Sequence, residues 1–231
     1  MTETKLNEPV PIGEPLEAII GRLGTSIKQL TPQQRAERER NIKDQRIASG
    51  QARATELMTV SCAPKRQRDN TNLDRTGEWE KTRATVAAKL GSGFIIALVG
   101  TRGCGKTQIG VELIRQLSQD FKRSKFCSAM EFFMRIKAGY RDDGDPEEKV
   151  IAEFAKPALL VIDEIGQRSE NDWENRLLYE LINRRYNAVL DTLVISNQEV
   201  GQLEASIGPS LVSRMRETGG VVECNWQSYR R

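Results

Sequence analysis

Residues 100–107 have the types and the spacing of a phosphate-binding loop. Gly100, Gly105, Lys106 and Thr107 take the fixed places of the pattern G-x-x-x-x-G-K-S/T. Glycines let backbone N–H groups turn toward a phosphate without a Cβ in the way. The Lys106 ammonium suits the β- and γ-phosphates, and the Thr107 hydroxyl suits Mg²⁺. The predicted nucleotide-binding residues are Gly100, Thr101, Arg102, Gly103, Cys104, Gly105, Lys106 and Thr107.

Two adjacent carboxylates, Asp163 and Glu164, follow a second apolar run, Ala158–Ile162. A carboxylate at the end of a buried strand can reach a Mg²⁺ ion bound at Thr107, usually through water. The neighbouring Glu164 is suited to polarising an attacking water. In isolation the pair would equally fit two surface acids at the end of a strand. Because it follows a phosphate loop at this separation, we favour the catalytic interpretation.

Three further polar residues could take part in the same chemistry. Asn197 follows the apolar stretch TLVIS and could help orient the attacking water, although it would also suit an ordinary turn. Arg214 and Arg216 lie in a predicted short helix before the last strand. Both could be ordinary surface residues. The sharper hypothesis is an arginine finger, a side chain that reaches the nucleotide of a neighbouring subunit.

The elements around these residues alternate between apolar strands and helices. A helix over Gln108–Ser118 follows the loop, and a longer one covers Asn171–Asn187. The predicted strands are Phe94–Val99, Lys125–Ala129, Ala158–Ile162, Thr192–Ser196 and Val221–Trp226. Such alternation predicts an α/β fold, with a parallel sheet covered by helices. The nucleotide should then lie at the carboxyl ends of the strands.

The composition limits the class of protein. The chain has 231 residues, a formal net charge of +3 and no histidine. The absence of histidine excludes histidine-based catalysis. Because the four cysteines also form no C-x-x-C pair, a zinc site is not expected. The sequence shows no signal peptide, so we expect a cytoplasmic protein with free thiols. It also shows no apolar stretch long enough to span a membrane, so we expect no membrane partner. The weakly basic charge permits binding to nucleic acid but does not argue for it.

The first part of the chain differs from the rest. We predict a helical, partner-binding arm over residues 1–58, a polar linker over 59–78 and an ATPase domain over 79–231. Thr31 should be the N-cap of a helix whose first turn contains Pro32. This helix carries few large apolar residues, so it buries little on its own. A solvated helix and an arm that docks on a partner are equally compatible with the pattern.

Several motifs together resemble the DnaC/IstB group of AAA+ ATPases. The motifs are GTRGCGKT, LLVIDEIG, DWENRLLYELINRRY, LVISN, LVSRMRE and NWQSYR. The resemblance implies that residues 100–107 are Walker A and that Asp163 and Glu164 are Walker B. It also implies that Asn197 is sensor 1 and that Arg214 is the arginine finger.

The resemblance covers roughly Trp79 to Arg231, and it leaves Arg216 as the second choice for the finger. By this resemblance the protein would be a bacterial or phage helicase loader that hydrolyses ATP with Mg²⁺. It would bind a hexameric, DnaB-like replicative helicase, contact single-stranded DNA and assemble with its own copies in an ATP-dependent ring or spiral. The expected fold is a P-loop AAA+ core with a parallel sheet, preceded by the helical arm.

One departure from the group is expected. The chain ends a few residues after its last predicted strand, so the C-terminal helical lid domain of many AAA+ proteins should be lacking, together with its arginine. Two alternatives to the loader stay open. One is an IstB-like transposition-helper ATPase that acts on target DNA. The other is an adaptor that binds nucleotide for stability and does not hydrolyse it.

Overall fold

The computed structural model describes residues 31–70, 77–141 and 144–229. The chain divides into two compact units, Met1–Gly50 and Gln51–Arg231. Residues 1–30 of the predicted arm lie outside the described residues. None of the helices in the described ranges is long and apolar enough to cross a membrane.

A five-stranded sheet forms the centre of the second unit. Its strands are β1 (Ile95–Val99), β2 (Ser124–Ser128), β3 (Leu159–Asp163), β4 (Asp191–Ile195) and β5 (Gly220–Glu223). Their order across the sheet is β2-β3-β4-β1-β5, and every neighbouring pair is parallel. The predicted parallel α/β fold is therefore confirmed. Four strands match the predicted runs to within one residue at each end, whereas β5 ends three residues before the predicted Trp226.

Helices cover both faces of the sheet. The helices of the described residues are α1 (Pro32–Val60), α2 (Lys65–Arg68), α3 (Gly77–Ala87), α4 (Lys106–Gln119), α5 (Ala129–Ala138), α6 (Glu147–Ala155), α7 (Asp172–Asn187), α8 (Val200–Ile207) and α9 (Pro209–Thr218). Alternate residues of β1 belong to different hydrophobic clusters: Ile95 and Ala97 pack on the side of α5 to α9, and Ile96 and Leu98 on the side of α3 and α4. A strand buried on both faces must be apolar throughout, which explains the continuous apolar runs.

The long helix α1 begins where the sequence predicts. The Thr31 backbone N–H donates to Gln34 Oε1 at 2.9 Å, and the Gln34 N–H donates to Thr31 Oγ1 at 3.3 Å. This reciprocal pair satisfies two N–H groups that a helix start leaves without partners. Pro32 is the first helical residue, where its missing N–H has no cost.

The segment after α1 contacts the sheet and α4. The Phe126 N–H donates to the carbonyl of Ser61 at 2.7 Å. The Gln108 side chain donates to the carbonyl of Gln67 at 3.0 Å, and Arg115 donates to the carbonyl of Arg68 at 2.7 Å. These residues fall within the predicted linker, and its limits at 59 and 78 stay a prediction.

Candidate nucleotide-binding site

The loop after β1 takes backbone conformations that favour glycine. Gly100 has a φ of 125° and Gly105 a φ of 88°. A Cβ added at Gly100 would lie 2.6 Å from the carbonyl oxygen of Cys224, too close for any other residue. The glycines at these two places therefore allow β5 and the loop to approach closely while the chain turns sharply into α4.

Lys106 is the first residue of α4 and is only 4% exposed. Its ammonium donates hydrogen bonds of 2.7 Å to the carbonyls of Gly100 and Thr101, and it lies 3.5 Å from Cys104 Sγ. The loop thus curls around the lysine head group. The positive end of the α4 dipole lies at the same place, so the backbone and the side chain both favour an anion there.

The hydroxyl of Thr107 meets the carboxylate of Asp163. Thr107 Oγ1 donates to Asp163 Oδ2 at 2.8 Å, and the other carboxylate oxygen accepts the Glu164 N–H at 2.7 Å. Burial at the end of β3 raises the pKa of Asp163 above its ordinary value, and these two hydrogen bonds act in the opposite direction. The structure therefore brings together the two residues predicted to hold Mg²⁺.

Glu164 and Asn197 follow the carboxyl ends of β3 and β4, which are neighbours in the sheet. Both side chains are exposed. Glu164 has a φ of 57°, a left-handed conformation that is uncommon outside glycine and that often occurs at functional sites. The turn sends the Glu164 side chain to solvent while Asp163 stays buried, so two adjacent carboxylates occupy different environments.

Two tryptophans that the sequence analysis did not assign to the site brace the loop. Trp79 Nε1 donates to the carbonyl of Gly105 at 3.1 Å, and Trp226 Nε1 donates to the carbonyl of Cys104 at 2.7 Å. The Tyr229 N–H donates to the carbonyl of Gly103 at 3.0 Å. The sequence predicts that Trp226 ends the last strand, but β5 ends at Glu223 and the Trp226 indole binds the loop.

Cys104 and Cys224 form a buried pair of thiols inside the site. The Cys224 thiol and the nearby Lys106 ammonium lower the pKa of Cys104 to about 6, against the opposing effect of burial. The pKa of Cys224 is raised, chiefly because it shares its proton with Cys104 and because it is buried. The sequence placed Cys104 in the loop, but it gave no sign of the contact with Cys224.

Arg168 fixes the segment that follows Glu164. This buried guanidinium donates to Asn175 in α7 and to the carbonyl and hydroxyl of Ser206 in α8. Burial lowers its pKa. The segment is thereby tied to two helices, which limits the movement of the Glu164 turn. In the sequence, Arg168 is visible only as the charged residue of GQRS, and this pattern does not distinguish a buried arginine from one on the surface.

The structure places the two candidate finger arginines in different surroundings. Arg214, half-buried on α9, donates to Asn183 Oδ1 at 2.8 Å and to the hydroxyl of Tyr179 at 3.1 Å. Arg216 is exposed and forms an ion pair of 2.8 Å with Glu204. Neither side chain has a hydrogen bond to the loop of its own chain among the described residues.

The donor set at Thr107 and Asp163 fits magnesium. Mg²⁺ takes oxygen ligands and is usually held by one or two carboxylates together with waters and substrate phosphates. Here one hydroxyl and one buried carboxylate converge to 2.8 Å beside the loop. Among residues 31–70, 77–141 and 144–229, no group of three or more histidine, cysteine or acidic side chains could hold a metal by itself. A site that relies on phosphate ligands agrees with both observations.

The chain is similar to proteins of a known family. It matches the family described as "IstB-like ATP binding protein" over residues 33–231. It is 26% identical over 132 residues to the replicative helicase loader DnaC of Escherichia coli (strain K12), which covers 57% of this chain and 54% of that protein. The chain thus spans about half the length of the curated relatives it matches.

Solved structures share the fold. A crystal structure of the DnaC helicase loader has a TM-score of 0.57 at 21% identity, over 69% of this chain and 99% of that one. AMPPCP-bound DnaA from Aquifex aeolicus has a TM-score of 0.55 at 19% identity, over 64% of this chain and 47% of that one. Both agree with a P-loop AAA+ core. On the match over residues 33–231, the chain belongs to the IstB-like ATP-binding protein family.

Proposed function

We propose that the protein is an ATP-dependent loader that binds a hexameric, DnaB-like replicative helicase and helps to place it on single-stranded DNA. The observation that carries the ATP-dependent part is the 2.8 Å contact between Thr107 and Asp163 beside the loop. It joins the predicted Walker A and Walker B residues at one point. The loader part is supported by the similarity to DnaC.

Binding of ATP follows from the loop and the start of α4. Lys106 would exchange its bonds to the carbonyls of Gly100 and Thr101 for bonds to the β- and γ-phosphates. The backbone N–H groups at the start of α4 would bind the same oxygens. Thr107 and Asp163 would hold Mg²⁺, which when bound neutralises charge on the phosphates.

Hydrolysis would use the exposed side chains at the strand ends. Glu164 would accept a hydrogen bond from a water and polarise it toward the γ-phosphate, and Asn197 would help to orient that water. Arg214 of a neighbouring copy would stabilise the charge that develops on the phosphate. ATP would favour the assembled state, and its conversion to ADP and phosphate would release the loader.

The helicase would bind the first unit of the chain. Ile42 and Ile47 lie on one face of α1 with Glu39, Lys43 and Arg46, and the two isoleucines are 42% and 49% exposed. A helix that presents exposed apolar side chains flanked by charged ones suits an apolar groove with a charged rim on a partner. A helix with so little apolar surface gains little from folding by itself, so a docking role would explain its length.

The proposal is tested by capture and by loading. The full chain is immobilised and exposed to a bacterial lysate with ATP or with ADP, and bound proteins are identified by mass spectrometry. We expect a replicative helicase in the ATP sample. That helicase is then purified and added to closed circular single-stranded DNA, with and without the protein and ATP. An equal amount of DNA-bound helicase in the two samples would contradict the loader function.

Two alternatives predict other results. The family match names IstB, which favours a transposition-helper ATPase as the second candidate. In that case the capture experiment would recover a transposase, and duplex target DNA would replace single-stranded DNA as the preferred ligand. A third candidate is an adaptor in which the nucleotide only stabilises the fold. It predicts ATP binding without turnover at any protein or DNA concentration.

A further inference from the structure

Arg214 is held without an acidic partner. Its Nη2 donates to Asn183 Oδ1 at 2.8 Å and to the Tyr179 hydroxyl at 3.1 Å, and its Nη1 donates to the carbonyl of Ser210 at 3.0 Å. The guanidinium carbon also lies 5.1 Å from the ring centre of Tyr179 and 5.3 Å from that of Tyr186. We call these residues the neutral cradle of Arg214: Tyr179, Asn183, Tyr186 and Ser210.

This arrangement differs from that of several arginines in the second unit, although the buried Arg168 and Arg185 also donate to neutral groups. Several are neutralised by carboxylates within hydrogen-bond distance: Arg83 by Glu80, Arg176 by Glu147, Arg184 by Glu148 and Arg216 by Glu204. Within the described part of the chain, Arg214 forms no ion pair. Its Nε is buried and has no hydrogen-bond partner among the described residues. Arg214 therefore has no directly bonded acidic partner among the described residues.

One carboxylate beside the cradle is bonded to Tyr186 rather than to Arg214. Glu217 accepts a hydrogen bond of 2.8 Å from the Tyr186 hydroxyl, and this contact raises the pKa of Tyr186. The aromatic rings and the amide orient the guanidinium without neutralising it, because they offer only partial negative charge. A cation that is oriented yet unpaired can bind an anion with little rearrangement.

We infer that Tyr179 and Asn183 are positioning residues that hold Arg214, rather than Arg216, ready for the phosphate of a nucleotide bound to a neighbouring copy. The inference rests on the proposed ATP hydrolysis between subunits. The inference adds to that proposal the residues that position the finger: the neutral cradle holds Arg214 in place and leaves it charged. Arg216 is less suited because Glu204 already neutralises its charge.

A substitution at Asn183 that changes only the charge of the side chain can distinguish a role in positioning Arg214 from a role in folding. Asn183→Asp keeps the size of the side chain and places a carboxylate at the atom that lies 2.8 Å from Arg214 Nη2. The new ion pair should hold the arginine at least as firmly while cancelling its charge. Asn187→Asp is the matched control, since Asn187 lies one turn further along α7 and is exposed.

The test mixes two variants that are inactive separately. Lys106→Ala lacks a working nucleotide site but keeps its Arg214, and Arg214→Ala keeps its site but lacks the arginine. Mixed at equal concentrations, they should regain ATP hydrolysis at the sites where the first variant supplies Arg214 to the second. Asn183→Asp is then introduced into one partner at a time.

We expect a decrease of at least about tenfold in the regained rate when Asn183→Asp is in the chain that supplies Arg214. The same change in the Arg214→Ala chain should leave the rate within about twofold, because that chain has no arginine to neutralise. Asn187→Asp should have little effect in either chain. Tyr179→Phe, which keeps the ring and loses the hydroxyl, should cause a smaller decrease than Asn183→Asp in the supplying chain only.

Equal losses with Asn183→Asp in either chain would indicate a structural effect and overturn the inference. So would an unchanged rate with the variant in the supplying chain. Thermal unfolding of each variant is measured in parallel, and Asn183→Asp should unfold no earlier than the parent chain. No regained hydrolysis in the unmodified mixture would also overturn the inference. The loader proposal would then still be judged by helicase capture, because this assay contains neither helicase nor DNA.

Discussion

The Thr107 hydroxyl donates a hydrogen bond of 2.8 Å to the Asp163 carboxylate, although 56 residues separate them in the chain. Thr107 lies in the first turn of α4, and Asp163 ends β3, which β4 separates from β1 in the sheet. The contact therefore depends on the correct order of the strands. It brings a loop oxygen and a strand oxygen to one place, which is the basis of the predictions on nucleotide binding.

Lys106→Ala should abolish ATP binding while the fold is retained. The ammonium is the side-chain cation that the loop encloses, and its loss leaves the carbonyls of Gly100 and Thr101 with one partner fewer each. We expect a stability loss of about 1–3 kcal/mol. Titration calorimetry with ATP and circular dichroism check the two effects. Lys122→Ala, an exposed change after α4, is the control. Wild-type affinity in Lys106→Ala would refute the phosphate-loop assignment.

The two carboxylates at the end of β3 should have separable effects. Glu164→Gln removes the exposed charge, so ATP should still bind while turnover falls by about 10²-fold or more. Asp163→Asn removes the buried charge and should weaken the Mg²⁺-dependent part of ATP affinity. The measurements are phosphate release and ATP titration with and without Mg²⁺. If both variants lose affinity equally, the division of roles is wrong.

The indole hydrogen bonds should stabilise the loop. Trp79→Phe and Trp226→Phe each remove a bond to a loop carbonyl, at Gly105 and Cys104 respectively. Each should cost about 0.5–1.5 kcal/mol of folding stability and weaken ATP binding. Trp173→Phe is the matched control, because its indole donates to Tyr140 instead. It should lose comparable stability and keep its ATP affinity. A loss of affinity in the control would show a general effect of removing tryptophan.

The Cys104 thiol should make stability depend on pH. Its pKa is lowered from 9.0 to about 6 in the folded chain. Between these values the unfolded state binds more protons, so the free energy of unfolding should increase as pH rises from 6 to 9. The contribution is lost as pH falls through 6. Urea unfolding of the wild type and of Cys104→Ser should diverge with rising pH. Cys62→Ser, which removes an exposed thiol, should follow the wild type.

The exposed isoleucines of α1 should be required for helicase capture. Ile42→Gln together with Ile47→Gln keeps good helix formers and removes apolar surface, so capture should fall while ATP turnover stays unchanged. Asn41→Gln is the control on the same helix. A chain beginning at Gln51, the start of the second unit, should bind ATP and fail to capture helicase. Full capture by that shorter chain would place the docking surface in the second unit.

The sequence predicted the parallel sheet and the limits of most of its strands well. Strands such as Leu159–Asp163 are buried on both faces, so the apolar run and its terminal acid leave a continuous trace in the sequence. The phosphate loop is equally local, since glycine positions and Lys106 fall within eight residues of each other. The strands and the phosphate loop are defined by residues that are close together in the chain, so their patterns can be recognised in the sequence.

The bracing contacts of the site could not be predicted in the same way. Trp226 reaches the loop across 122 residues of the chain, whereas the sequence predicts it only as the last residue of a strand. Packing between elements also brings Cys104 to Cys224. It likewise places Arg214 beside Tyr179 and Asn183. No local pattern distinguishes an arginine beside an amide from one beside a carboxylate.

The bond from Trp226 to the loop has a consequence for how the protein is made. Residues 100–107 leave the ribosome long before Trp226 does, and until then the carbonyl of Cys104 lacks its indole partner. Strand β5 is also needed, because the Cys224 N–H binds the carbonyl of Val99 beside the loop. The growing chain therefore cannot complete the hydrogen bonds that hold its phosphate loop until Trp226 has been synthesised.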